Sequence, residues 1–126
     1  MMGPELVELA LTILRWVGDY QPGIVACELI DAEGRRHSFV GKLPIWSTDE
    51  SLNATSKYPQ QGGVRCTVLA RWNDGQLLRV SIAEPDDEPS TEGLTEFVVS
   101  RAQVSPIPRG HREPNPQGVL IWVEDE

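Results

Sequence analysis

Two short loops of one kind constrain this chain more than anything else in it. Ala32-Glu33-Gly34 and Asn73-Asp74-Gly75 each lie between runs in which apolar and polar residues alternate. A three-residue loop with an acidic residue before glycine suits a type I turn closed by a left-handed glycine. That connection joins two antiparallel strands into a hairpin. It also fixes which residues face one another, and so which side chains are buried.

In the first hairpin, closing the loop between Asp31 and Arg35 sets Leu29 opposite His37, Cys27 opposite Phe39 and Val25 opposite Gly41. The other face carries Glu28 with Ser38 and Ala26 with Val40, and is the less apolar of the two, as a half-buried pair requires. In the second hairpin, a two-residue Asp74-Gly75 turn would set Trp72 against Leu77 and Ala70 against Arg79, mixing the faces. A three-residue loop sets Ala70 against Leu78, Val68 against Val80 and Cys66 against Ile82. It leaves Arg65, Thr67, Arg71, Arg79 and Ser81 on the opposite face. The alternation selects the three-residue loop.

Around these hairpins the chain reads mostly as strand. Residues 6–17 alternate at Val7, Leu9, Leu11 and Ile13, although Leu6, Leu9, Ile13 and Trp16 also fit one face of a helix. The β-branched residues and the early Pro4 favour strand. Pro22-Gly23 marks a turn, residues 43–46 read as a short strand, and 47–63 as a long polar connection containing Tyr58-Pro59 and Gly62-Gly63. Residues 84–93 read as loop, 95–100 as strand, and 101–104 as a turn or one helical turn. A proline-rich segment, 105–118, is expected to wander over the surface, before a last strand or tail at 119–126.

The 126 residues suit one domain with a modest core, its compact β part spanning about 5–104. With 19 acidic against 11 basic side chains the net charge is −8, which argues against a nucleic-acid binder and favours a basic protein partner. No apolar run is long enough to span a membrane. Residues 6–17 lack the flanks of a secretion signal and two cysteines are too few for a disulfide scaffold, so the expected compartment is the cytoplasm.

Little here suggests chemistry. Cys27 and Cys66 alternate inward beside large apolar neighbours, where a thiolate is disfavoured, so they read as core rather than as nucleophiles paired with His37. A zinc site needs about four ligands; these three fall short, and no cofactor motif is present. His37 reads as a hydrogen-bonded rim residue. Arg65, Arg71 and Arg79 share an outward face that could bind an anion; the preferred reading is structural, charges that offset residues 84–96 or mask an exposed sheet face. The acidic stretch Glu84, Asp86, Asp87, Glu88, Glu92 and Glu96 contains no basic residue and lacks the spacing of a calcium loop, while Pro85 and Pro89 stiffen it. Trp46, Tyr58 and Trp72 stand at loop bases, where large aromatics line recognition grooves or plug barrel ends.

Several short segments together resemble a set of small bacterial proteins of uncharacterised function. They are Pro22-Gly23-Ile24-Val25 leading to Cys27, Asp31-Ala32 before Gly34-Arg35, and then His37, Phe39, Lys42 and Pro44. Tyr58-Pro59, residues 63–66, and Ser90-Thr91-Glu92-Gly93 before Phe97-Val98 continue the likeness, which covers about two-thirds of the chain. The resemblance implies no activity, substrate or catalytic residue. A looser likeness, at the level of fold, is to SH3-like and translation-factor-type small barrels.

The expectation is therefore an all-β protein of about six to eight strands, a small antiparallel barrel or strongly curled sheet with little helix. Its expected role is a non-catalytic binding or regulatory module. It would meet a protein partner through Glu84, Asp86, Asp87, Glu88 and Glu92 and an aromatic rim of Trp46, Tyr58 and Trp72, as an immunity protein meets a basic toxin. Two rivals are a ligand-binding protein or enzyme with a pocket near Trp46, Tyr58, His37 and Trp72, and a homo-oligomer formed by strand addition through residues 119–123.

Overall fold

The apolar stretch near the start of the chain is a strand in the computed structural model, which describes residues 5–19, 23–47, 52–84, 87–107, 110–114 and 116–124. This strand, β1 (Leu6–Gly18), sends Val7, Leu9, Leu11 and Ile13 into the core. The register then slips between Ile13 and Arg15, and again between Trp16 and Gly18. The first slip leaves Leu14 exposed and turns Trp16 toward the core. An inward run that changes phase in mid-strand is why the same residues also fit a helical face.

Both edges of β1 are used. One pairs along Leu6–Ile13 with β4 (Gln60–Trp72). The other pairs along Thr12–Gly18 with β2 (Ile24–Ile30), and β7 (Val104–Pro106) takes the stretch Val7–Leu9 that β2 leaves open. With β3 (Arg36–Lys42), β5 (Leu77–Ser81) and β6 (Glu96–Ser100) the order is β3-β2-β1-β4-β5-β6, a strongly curled half-barrel of seven antiparallel strands with almost no helix. The inward residues of each strand, among them Val25, Cys27 and Leu29, Val64 and Cys66, Leu78 and Val80, Phe97 and Val99, form one core. A separate two-stranded sheet pairs β8 (Gly110–Pro114) with β9 (Leu120–Glu124).

The curl brings the two outer strands of the sheet, β3 and β6, face to face. Phe97 of β6 meets Phe39 and His37 of β3 edge-on, with ring centroids 5.7 and 4.7 Å apart. Main-chain bonds join the same two regions: Ala32 N–H donates to the Val98 carbonyl (2.9 Å), and Thr91 N–H to the Ser38 carbonyl (2.8 Å).

The first hairpin has the register that its loop demands, Leu29 with His37, Cys27 with Phe39 and Val25 with Gly41, and Gly34 takes a φ of +83°. The second departs from expectation. Trp72 pairs with Leu77 and Ala70 with Arg79, the arrangement of a two-residue turn, and Asn73, Asp74 and Gly75 all have positive φ. A bulge at Leu69 absorbs the extra residue, so Val68 still faces Val80 and the buried face survives. Alternation in sequence cannot distinguish a bulge in the loop from one placed three residues into the strand.

Three further expectations are corrected. Residues 43–46 form a single helical turn, α1 (Leu43–Trp46), and not a strand, because Pro44 cannot donate to a ladder but suits a first helical turn. The polar connection ends at Pro59, since Gln60–Gly63 already pairs with Ala10–Ile13. The proline-rich segment supplies β7 and β8. The single turn at Arg101–Gln103 is as expected, in 3₁₀ form.

Because Phe97 links the two outer strands, Phe97→Ala is expected to destabilise the protein by about 3–5 kcal/mol, read from urea unfolding. Phe97→Leu, which keeps most of the volume, should cost less than half as much.

Candidate functional site

The acidic loop after β5 is tied down along its second half. Ser90, which is buried, accepts the Gly93 N–H on its carbonyl (2.8 Å) and the Leu94 N–H on its hydroxyl (3.1 Å). Its own N–H donates to the Leu94 carbonyl, and Ile82 N–H to that of Thr95. These bonds, with the Thr91–Ser38 bond, hold the loop against β3. Glu84, Asp87 and Glu92 are exposed along it, while Glu88 is half-buried. Asp86 lies outside the described residues.

Glu88 turns back over β3. Gly41 follows Phe39 on the inward side of that strand, at a place where alternation calls for an apolar side chain. A Cβ on Gly41 would stand 2.5 Å from Glu88 Oε1 and 2.8 Å from Trp46 Nε1. The notch at Gly41 thus gathers one acidic residue and one tryptophan that lie far apart in sequence. Above it opens a hollow of about 480 Å³ lined by Ile24, Val40, Gly41, Lys42, Ile45 and Glu88.

Trp46 is not on a rim. The turn of α1 drives it fully into the core, 5.3 Å from the ring of Phe39, and its indole N–H has no hydrogen-bond partner among the described residues. Tyr58 is half-buried and donates its hydroxyl to the Asn53 carbonyl (2.8 Å). Trp72 is 42 % exposed beside the second hairpin turn. Of the best-formed surface hollows delineated by described residues, none brings together any two of Trp46, Tyr58, His37 and Trp72.

His37 is a structural residue of the first hairpin. Its Nε2 lies 2.8 Å from Asp31 Oδ2, while Asp31 Oδ1 accepts the N–H groups of Glu33 and Arg35, both at 2.9 Å. Burial pushes the Asp31 carboxyl up, but the His37 hydrogen bond, the two backbone donors and the His37 charge outweigh it and hold the group below its ordinary value. Cys27 and Cys66 are buried, and burial pushes both thiols up to about 12. Among the described residues no three His, Cys, Asp or Glu side chains form a metal-holding group. Arg71 pairs with Glu5 (2.7 Å) and Arg79 with Glu96 (3.6 Å) on the outer face.

Sequence reasoning missed Gly41 and the hollow above it. The available signal was the glycine itself, facing Val25 in the middle of an apolar ladder. No helix among the described residues is long and apolar enough to cross a membrane. The chain matches no protein-family model, no curated protein and no solved structure.

Two measurements check this geometry. Cys27 and Cys66 should resist a disulfide-exchange reagent at pH 8 in the native protein and react fully on unfolding. Asp31 titrates lower folded than unfolded, so its stabilisation is complete above an unfolded value of about 4 and is lost as pH falls through the folded value. Asp31→Asn should lower stability by about 1–3 kcal/mol at neutral pH and flatten the acid limb of the stability curve.

Proposed function

We propose that this chain is a non-catalytic binding or regulatory module that meets a basic protein partner through the acidic loop of residues 84–93. The observation that carries this reading is a set of exposed carboxylates on a tethered loop. Glu84, Asp87 and Glu92 take no part in the ion pairs formed among the described residues, while the loop beneath them is hydrogen-bonded to β3 and to itself. Charges presented on an ordered frame lose little freedom on binding, and fixed negative potential speeds the encounter with a basic surface. The net charge of −8 acts in the same direction.

Of the aromatic residues expected to join the contact, Trp72 has the exposure to do so, Tyr58 has part of it, and Trp46 has none. An immunity-like role, the neutralisation of a basic toxin, is one concrete form of this module. An enzyme built around Trp46, Tyr58, His37 and Trp72 is less favoured, because no two of those residues line a common hollow among those delineated by described residues. Strand addition through the C-terminal segment competes with the pairing of β9 to β8 within the chain.

Immobilised full-length protein should capture a basic partner whose retention falls as salt rises through the physiological range. Replacing Glu84, Asp87 and Glu92 together by the corresponding amides should weaken capture about tenfold or more without changing the melting temperature. Retention indifferent to both salt and these replacements would overturn the reading.

A further inference from the structure

The outward face of the first hairpin changes character along its length. Near the loop it is polar: Glu28 stands opposite Ser38, and Arg36 Nε lies 3.6 Å from Glu28 Oε1. Toward the open end the outward residues include Ile24 and Val40, where a strand face turned to water calls for polar side chains. Val40 is 46 % exposed. Ile45, from α1, joins these two in lining the hollow of about 480 Å³ that Gly41, Lys42 and Glu88 complete.

Acidic and apolar features meet along this one strand. Glu88 lies over Gly41 and Thr91 bonds to Ser38, so the acidic loop runs beside β3 between those two points. Glu88, like Asp87 and Glu92, forms no ion pair among the described residues. Lys42 is the one cation among the described residues that line the hollow, and the loop carboxylates outnumber it. An apolar recess bordered by such carboxylates selects its partner on two counts. A wholly polar basic segment would meet the charges and leave Ile24, Val40 and Ile45 in water. A neutral apolar segment would fill the recess and gain nothing from the charges. A basic segment that carries one large aliphatic side chain satisfies both.

We propose that the hollow lined by Ile24, Val40 and Ile45 receives a large aliphatic side chain, of the size of leucine, from the basic partner. Lysine or arginine residues flanking that side chain meet Glu88 and the neighbouring carboxylates of the loop. Protein interfaces draw most of their binding energy from a few side chains seated in well-packed pockets, with polar contacts around them. The proposal rests on the reading of the acidic loop as a binding element, since Glu88 belongs to both, and it adds to the partner's charge a second determinant.

The test titrates the full chain, labelled with ¹⁵N, with three pentapeptides blocked at both ends, following the backbone N–H resonances of Val40, Lys42 and Ile45. One peptide carries leucine between two pairs of lysines, the second alanine in its place, and the third leucine between two pairs of glutamates. The leucine–lysine peptide should shift these resonances saturably. Alanine in place of leucine should weaken binding at least about tenfold, as the loss of methyl groups from an apolar recess implies. The glutamate peptide should not bind. Val40→Thr keeps the β-branched shape at an exposed position and puts a hydroxyl in the lining. It should weaken the leucine–lysine peptide about threefold or more and leave the alanine peptide unchanged, whereas damage to the fold would affect both alike. Equal binding of the leucine and alanine peptides, still sensitive to salt, overturns the proposal and leaves the acidic loop standing as a binding element. Equal binding of the lysine and glutamate peptides overturns the proposal and counts against the reading of the loop as well. No shift with the leucine–lysine peptide overturns the proposal alone, since salt-dependent capture of a basic partner tests the loop separately.

Discussion

The contact of Phe97 with Phe39 and His37 is the constraint on which the rest of this protein depends. A curled antiparallel sheet has two outer strands, and each presents apolar inward residues that need a partner. Here the sheet meets this need by bringing β3 and β6 together through aromatic edges, with two main-chain hydrogen bonds at the margins. The interior enclosed in this way contains both cysteines and Trp46. His37 takes part as a packing residue, its ring against Phe97 and its nitrogen against Asp31.

The same closure positions the acidic loop. Residues 87–94 lie where β3 and β6 approach, and the Thr91–Ser38 bond anchors them there. Glu88 is consequently carried over Gly41, while Glu84, Asp87 and Glu92 are left facing solvent. One loop therefore presents carboxylates in two settings, exposed ones suited to long-range attraction and a half-buried one suited to a defined hydrogen bond.

How much of this was legible in the sequence varies with the distance over which each feature is decided. The first hairpin was readable pair by pair, because a glycine-closed loop and the alternation at Leu29, Cys27 and Val25 specify one register. The second was readable only at its far end, since the bulge at Leu69 gives the same buried face as the loop inferred for it. The phase change at Leu14 was hidden because an exposed leucine looks like a buried one in a pattern. The sequence pattern puts Trp46 on a rim, whereas its burial follows from Pro44, which converts a short apolar run into a turn directed at the core. Local sequence marks the notch at Gly41 only by the glycine itself, opposite Val25. It depends on the contact between a strand and a loop that are joined only when the sheet closes.

The pairing of β1 has a consequence for the order in which the molecule can be made. Val7 has Cys66 on one side and Pro106 on the other, so β1 is synthesised before either of these partners. During translation the β2–β3 hairpin can form early and cover the second half of β1, but Leu6–Leu9 keeps unpaired backbone until residues beyond Val104 emerge. Contacts of such long separation slow folding, and an apolar strand waiting for its partners is open to mispairing with neighbouring chains. Glu8, set between Val7 and Leu9, places a charge in that waiting segment, the kind of residue that discourages association before the native partner arrives.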